Sequence, residues 1–415
     1  MRFTFPDLRN MSYSHILFKL RPDAPSLKAV TQEIHALLPK LTLSLNPEPN
    51  LETDSHGEIH PMSLPEWREE IDHIDEEVIA LLNHRAELAQ KIGHAKSKTR
   101  SHYFTPEREH SVFQRLLALN EGPLPSPAIR AIYKEIISAC LALEKPLSVA
   151  FLGPEGTFSH LATIAKFGTS SSFHPTATIA EVFSAVERNT VDYGMVPVEN
   201  SWAGVVPETL DTFMNSNLRV VSEIFQPITH NLLTHAERLE DVKRLYTHFQ
   251  PLAQCRQWLR NHLPNVEEIE ASSTVKAAEM AANDPTSAAI ATTLASERVG
   301  LPILCDHIED NPNNRTRFLV LGYNEPEPTG KDKTSIMFSV QNKAGELVHA
   351  LNAFQQHEVN MTMIESRPTK AEAWEYYFYI DVQGHQRDGN VTRAINLLKE
   401  QSLFVRVLGS YPEAT

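Results

Sequence analysis

Only three of the 415 residues are cysteines. Cys140, Cys255 and Cys305 are odd in number and widely spaced, which leaves no readable disulfide framework or metal motif and fits a reducing cytoplasm. No apolar run approaches the roughly 18 residues of a membrane span, and the first ten residues lack the apolar stretch of a signal peptide. Positive charge is scarce too: 38 Lys and Arg against 52 Asp and Glu leave a net charge of −14, which argues against nucleic-acid binding and against anionic membranes. Glycine is thin, with 15 in all. Gly153-Pro-Glu-Gly156 is too short for a dinucleotide fingerprint, and Thr329-Gly-Lys-Asp-Lys-Thr334 lacks the first glycine of a P-loop. The 19 histidines include no His-Glu-x-x-His and no matched carboxylate spacing, so they read as scattered surface residues. No metal and no cofactor is expected.

What is present is a long amphipathic helix carrying charge on its apolar stripe. Ile71, Ile74, Val78, Leu81, Leu82, Leu88 and Ile92 recur at helical spacing. Arg85 and Lys96 fall on the same face, stepping by three or four with Leu81, Leu88 and Ile92. An unpaired buried charge costs several kcal/mol, so the two cations point to a pocket for a small, multiply negative ligand. About 34 residues at roughly 1.5 Å each make a rod near 50 Å, long enough to need a partner. Arg68 is displaced from Arg85 by about 25 Å along the axis and about 100° around it. It cannot share that pocket within one chain, but in an antiparallel dimer it could complete the partner's site. A homodimer is therefore expected.

The order of patterns predicts a multidomain chain. Residues 1–61 form an extension, expected to be partly disordered, with one weak amphipathic helix, and Met62 is a candidate alternative translation start. Residues 62–145 form an all-α module with three helices near 64–97, 106–120 and 127–144, the last two separated by Gly122-Pro-Leu-Pro-Ser-Pro127. Residues 147–323 alternate strands (148–152, 192–198, 219–225, 244–247, 288–291, 316–322) with helices, which predicts a mostly parallel sheet in two α/β lobes around a cleft. A linker at 324–330 leads to 334–411, where strand, helix, two strands, helix and strand give the ferredoxin-like βαββαβ plan.

These segments carry three ordered signatures. They are Arg85 and Lys96 with Pro106-Glu-Arg-Glu109; then Gly153-Pro-Glu-Gly-Thr-Phe-Ser159, Pro197-Val-Glu-Asn-Ser201 and Thr316-Arg-Phe318; then Glu365-Ser-Arg-Pro368. In that order, over roughly 64–412, the chain resembles the bifunctional chorismate mutase/prephenate dehydratase family of phenylalanine biosynthesis, with a C-terminal ACT domain. The resemblance implies that chorismate is rearranged to prephenate, that prephenate is dehydrated and decarboxylated to phenylpyruvate, and that phenylalanine acts as feedback inhibitor.

For the first module the resemblance implies that Arg68 of the other chain, Arg85 and Lys96 hold the carboxylates and ether oxygen of chorismate. Arg108 and the backbone at Thr105 line the pocket, Glu109 takes the substrate hydroxyl, and Cys140 and Glu144 complete it. Cys140 stands where serine is common, and Glu144 where some members have glutamine; a carboxyl there donates only when protonated. Lys96, Glu144 and Arg85 are the expected catalytic groups.

For the second module the resemblance makes Thr316 the catalytic residue. Threonine is a poor free acid, so it must act as a positioned donor within a network. Arg317 is the expected carboxylate partner, although both side chains reach substrate only if the backbone bends near Asn313-Asn314, because neighbours on a strand point apart. Glu199, Asn200, Ser201, Gln254, Ser273 and Thr274 complete the expected cleft, while Thr247-His-Phe-Gln250 departs from the family's usual run. In the ACT module Gly345, Glu346 and Leu347 would present N–H groups to an amino-acid carboxylate, with Asn360, Glu365, Ser366, Arg367 and Pro368 around it. Glu346 replaces an alanine common in the family and bears a charge like that of the ligand's carboxylate.

Overall fold

A computed structural model describes residues 63–99, 103–369 and 375–414. The extension and Met62 lie outside the described residues. The chain divides between Glu77 and Val78. The described part of the first unit is the opening of helix α1 (Leu64–Thr99), in which Trp67, Ile71 and Ile74 are exposed.

After α1 come α2 (Pro106–Leu119) and α3 (Ser126–Glu144), each opened by proline at its first turn and parted by the proline-rich stretch that the sequence marks as a breaker. The first lobe then follows: β1 (Ser148–Leu152), α4 (Phe158–Phe167), β2 (Ser172–Thr176), α5 (Ile179–Glu187), β3 (Tyr193–Asn200), β4 (Gly204–Val205), α6 (Pro207–Phe213) and β5 (Arg219–Pro227). The second lobe contains β6 (Asn231–Thr234), β7 (Arg244–Thr247), α7 (Phe249–Gln254), α8 (Arg256–His262), β8 (Glu267–Glu270), α9 (Thr274–Ala282), β9 (Ser287–Ala291), α10 (Thr293–Val299) and β10 (Ile303–Cys305). The chain then returns to the first lobe with β11 (Arg315–Gly322). The last module is β12 (Asp332–Ser339), α11 (Glu346–Gln356), β13 (Met361–Pro368), β14 (Tyr376–Gln383), α12 (Gly389–Gln401) and β15 (Phe404–Pro412), the expected βαββαβ order.

The sheets are more mixed than the mostly parallel expectation. In the first lobe the order is β2-β1-β3-β11-β5, with β1 parallel to its neighbours and β11 antiparallel to both β3 and β5. In the second it is β10-β6-β9-β7-β8, again of both senses. The antiparallel strand β11 is the one that comes back across from the other lobe. It lands between β3 and β5, so Thr316 sits opposite Asn200 on one side and Gln226 on the other.

Both faces of β11 are covered, and its alternation sorts what each face does. Phe318 and Val320 pack with Val149, Phe151 and Ala162 on the α4 side. Leu319 and Leu321 pack on the other side with α5, α6 and one face of the C-terminal sheet, through Met337, Tyr379, Leu408 and Tyr411. The opposite face of that sheet, including Ile336, Phe338 and Ile380, covers α11 and α12.

Two glycines set how closely the modules approach. A Cβ on Gly409 of β15 would lie 2.0 Å from the Val220 carbonyl oxygen of β5, so only glycine lets those backbones meet. Gly168, at φ +72° after α4, would drive a Cβ to 2.4 Å from Ser138 of α3. At that second seam Glu135 accepts hydrogen bonds from Thr169 and the Ser138 hydroxyl accepts one from the Ser170 N–H at 3.2 Å.

Between the first lobe and the C-terminal sheet lies a buried ionic network. Arg317, 4% exposed, donates to Glu223 at 2.7 Å, to the Tyr411 hydroxyl at 2.9 Å and to Asp381. Lys333 also donates to both oxygens of Glu223 at 2.9 Å. Burial alone would push the Glu223 carboxyl up, but the charges of Arg317 and Lys333 outweigh it and hold the group below its ordinary range. Removing one member leaves charge stranded in a dry seam. Glu223→Ala is expected to cost about 3–5 kcal/mol in urea unfolding of the full chain, and a loss under about 1 kcal/mol would mean that the network is no more than a surface-type pair.

Candidate active sites

The first site is a cavity of about 800 Å³ enclosed by α1, α2, α3 and the end of α4. Arg85 and Lys96 both line it, as the helical stripe predicts, together with Thr105, Arg108, Cys140 and Glu144. Lys96 donates to the Tyr103 carbonyl at 3.0 Å and to Glu144 at 3.3 Å. Cys140 is buried at the wall, and Arg108 donates to the Ser111 hydroxyl at 3.4 Å. Arg68 belongs to the first unit.

Three further cations were not expected: Arg115, Lys134 and Lys166. With Arg85, Lys96 and Arg108 they make six positive side chains around Glu109 and Glu144, a concentrated anion site in an acidic protein. Lys134 was within reach of sequence reasoning, because 134, 137, 141 and 144 step along one face of α3. Lys166 was not, since it belongs to the next module. Glu109, expected to face a substrate hydroxyl, is gripped between Lys134 and Lys166. Burial would raise its carboxyl, but these two ammonium groups hold it down to about 2.

The second site is a cleft of about 420 Å³ between the lobes. Asn200 and Thr316 from the first lobe face Gln254, Ser273 and Thr274 from the second, as expected. The Asn200 side-chain oxygen accepts the N–H groups of Trp202 at 3.0 Å and Ala203 at 2.8 Å, which fixes the amide's orientation. Its nitrogen therefore donates to the Thr316 hydroxyl at 2.9 Å and to Asn314 at 2.9 Å. With that lone pair used, the Thr316 hydroxyl still has its O–H to donate as a hydrogen bond.

Three expected cleft residues sit elsewhere. Arg317 points to the opposite face of β11 into the buried network, because the turn that brings the Asn314 N–H back to the Asn311 carbonyl ends before β11 begins at Arg315 and leaves the strand's alternation intact at Thr316 and Arg317; the register shift beside β3 comes after them, between Arg317 and Phe318. Glu199 pairs backbone-wise with Val205 and Arg317 and does not line the cleft. Ser201 stands one step back, its hydroxyl accepting from the Arg315 N–H at 2.9 Å and donating to Asn314 at 3.4 Å.

No lysine or arginine is among the residues lining this cleft. The N-terminal turns of α4, at Thr157 to Ser159, and of α9, at Ser272 to Thr274, open onto it, and Glu208 is also in its lining. His230 is an addition that sequence reading missed. It is 1% exposed, so the surface reading of the histidines fails there, as it does at buried His385. Its ring pairs with Gln254 at 2.7 Å, and burial depresses its pKa, which keeps it neutral.

The residues expected around an amino-acid effector lie on the C-terminal module. Gly345, at φ +90°, precedes α11, which Glu346 and Leu347 open. The Asn360 side chain donates to Gln383 at 3.1 Å. Glu365, Ser366 and Pro368 lie on β13, an edge strand of the sheet. Arg367 is corrected: its guanidinium is held by Asp211 of α6 at 2.9 and 3.2 Å and ties the sheet to the first lobe.

Known proteins match the same three parts. The family described as chorismate mutase type II matches residues 67–145, prephenate dehydratase matches 149–326, and the ACT domain matches 334–398. A bifunctional chorismate mutase/prephenate dehydratase of Aquifex aeolicus is 47% identical over 355 residues, covering 85% of this chain and 98% of the relative. One from Neisseria gonorrhoeae is 43% identical over 350 residues, covering 84% and 96%. Among solved structures, a prephenate dehydratase of Arthrobacter aurescens in complex with L-Phe superposes with a TM-score of 0.60 at 36% identity, over 64% of this chain and 90% of that one.

Proposed function

This chain belongs to the family of bifunctional chorismate mutase/prephenate dehydratases, and from that premise we propose how its two sites divide the work. The enzyme converts chorismate to prephenate and prephenate to phenylpyruvate. The observation that carries the assignment of sites is the contrast between them: one cavity crowded with cations, one cleft with none and a single oriented threonine.

The mutase step is a pericyclic shift in which negative charge grows on the breaking ether oxygen. It needs a folded substrate and fixed donors rather than a nucleophile. Arg85 and Arg108 are suited to the two carboxylates, Lys96 to the ether oxygen, and Glu109 to the substrate hydroxyl. Glu144 steadies Lys96 by accepting its hydrogen bond. Arg68 enters from a second chain. Support for that is the exposed apolar row on α1: Ile71 and Ile74 in the first unit, and Val78, Leu81, Leu88 and Ile92 in the second. Such a row is costly to leave wet.

At the cleft, prephenate loses carbon dioxide and its ring hydroxyl together. The electron pair of the breaking carbon–carboxylate bond enters the ring as the carbon–oxygen bond breaks, and aromatisation drives the change. Thr316, its oxygen accepting from the Asn200 amide, donates a hydrogen bond to the departing hydroxyl, which leaves as hydroxide and takes its second proton from water, so the threonine keeps its own proton. The carboxylates are held by the helix N-termini of α4 and α9. Neutral His230 orients Gln254 toward the substrate.

Phenylalanine is the effector, bound by the ACT module near the start of α11 and β13; the Arthrobacter relative was solved with L-Phe. The sheet reaches the catalytic strand directly, since Asp381 of β14 holds Arg317, the neighbour of Thr316.

Three outcomes test this reading. Thr316→Ala should abolish prephenate turnover and leave chorismate turnover intact, and Asn200→Asp should slow the dehydratase roughly a hundredfold; retained dehydratase rates in the alanine variant would refute the role. Saturating phenylalanine should depress dehydratase velocity in steady-state assays, and an unchanged velocity would remove the regulatory assignment. Mixing inactive Arg68→Ala and Arg85→Ala chains should restore about a quarter of wild-type mutase activity, as sites shared across a two-fold dimer require; no recovery after subunit exchange would rule out sharing.

A further inference from the structure

The mutase cavity is not closed by mutase helices alone. Lys166 lies near the C-terminal end of α4, in the dehydratase part of the chain, 57 residues beyond Glu109, yet its ammonium donates to Glu109 Oε2 at 3.3 Å. Both side chains are largely buried, at 14% and 11% exposed. Lys134 of α3 takes the other oxygen of the same carboxylate. Lys134 is itself fixed from α4, because it also donates to the Lys166 backbone carbonyl at 2.7 Å. A single residue of the second module thus supplies both an ammonium for Glu109 and an anchor for its other clamp.

The seam around it is built to keep this register. Gly168 allows the end of α4 to meet Ser138 without a Cβ between them, and Glu135 and Ser138 of α3 hold the turn at Thr169 and Ser170. Phe167 lines the cavity next to Lys166 and packs on Phe104 at 5.0 Å between ring centres. Burying a lysine in this position is costly unless its charge is used, and the burial does lower its pKa against the pull of Glu109.

We propose that Lys166, carried by the dehydratase module, is a positioning residue for the chorismate rearrangement: it holds Glu109 ionised and aimed into the cavity, so the mutase site is completed by the module that consumes its product. This rests on the reading of the cavity as the mutase site. Glu109 has to accept a hydrogen bond from the substrate hydroxyl, and as a carboxylate each of its oxygens keeps a lone pair beyond the one its lysine takes. The charged and titratable groups that line the cavities on either side of Glu109 are Arg85 and Lys96 on α1, Arg108, His110 and Arg115 on α2, Arg130, Tyr133, Lys134 and Glu144 on α3, Lys166 on α4, Glu223 on β5, Tyr103 and Glu413. Of these only Lys134 and Lys166 are bonded to it.

The sign of the pH effect follows. Glu109 is held well below the ordinary carboxylate range by the two lysines, so in the native enzyme it stays charged throughout the working range. Loss of Lys166 removes one of the two opposing charges and lets burial raise the carboxyl, so activity that needs the ionised form is lost at a higher pH as acid is added.

The test uses full-length protein and both assays. Lys166→Met and Lys166→Gln should lower mutase kcat/KM roughly ten- to a hundredfold, move the acid limb of the mutase profile to higher pH, and leave prephenate turnover at the wild-type rate. Lys166→Arg should return the limb toward its native position. The proposal is overturned if Met and Gln variants that retain prephenate turnover also keep native mutase kcat/KM and an unmoved limb, even with a lower Tm. If the Met variant loses both activities through misfolding, the limb in the Gln and Arg variants decides. A wild-type protein with no chorismate turnover would instead defeat the assignment of the cavity.

Discussion

Arg317 is where the dehydratase and the regulatory sheet become one structure. Its guanidinium is buried among Glu223, Asp381 and Tyr411, drawn from three strands, and Lys333 from a fourth completes the neutralisation. The partners hold the guanidinium even more firmly protonated than usual, against burial that would favour the neutral form. A planar, multiply donating cation can satisfy several acceptors at once in a way lysine cannot. Hydrophobic packing of Tyr379, Met337 and Leu408 against the first lobe supplies area, but it is non-directional. The ionic network fixes register, and register is what places Thr316, the next residue, on the cleft face.

The two seams of the molecule follow one logic. At each, a glycine lets the facing element, the Val220 backbone at Gly409 and the Ser138 side chain at Gly168, come closer than a Cβ would allow, and a largely buried lysine or arginine crosses from one module to a carboxylate on the other. Each active site is accordingly held in shape by a module that does not perform its reaction. The mutase carboxylate Glu109 depends on the dehydratase helix α4, and the dehydratase strand β11 depends on the ACT sheet. Because buried charges must stay paired, these seams resist gradual slippage and favour discrete arrangements, the property that an effector needs in order to bias an active site at a distance.

Much of this was legible in the sequence wherever the signal was local. The stripe carrying Arg85 and Lys96 and the breaker at 122–127 both stand in the structure. The chain does turn at Asn311 to Asn314, but it does so before β11 begins, so alternation along the strand sends Arg317 to the far face from Thr316. Short polar strands such as β8, with sequence Glu-Glu-Ile-Glu, gave no β signal, because pairing with β7 rather than intrinsic preference makes them strands. The contacts of Lys166, Glu223, Asp381 and His230 were hidden for a different reason. Each joins segments separated by tens of residues or more, and one chain read alone carries no record of which distant charges meet.

If the regulatory sheet acts on Thr316 through the bond between Asp381 and Arg317, phenylalanine should still bind to Asp381→Asn, as followed by calorimetry, while its titration against dehydratase velocity in the same protein shows inhibition largely lost. Binding together with full, native inhibition in that variant would exclude this route.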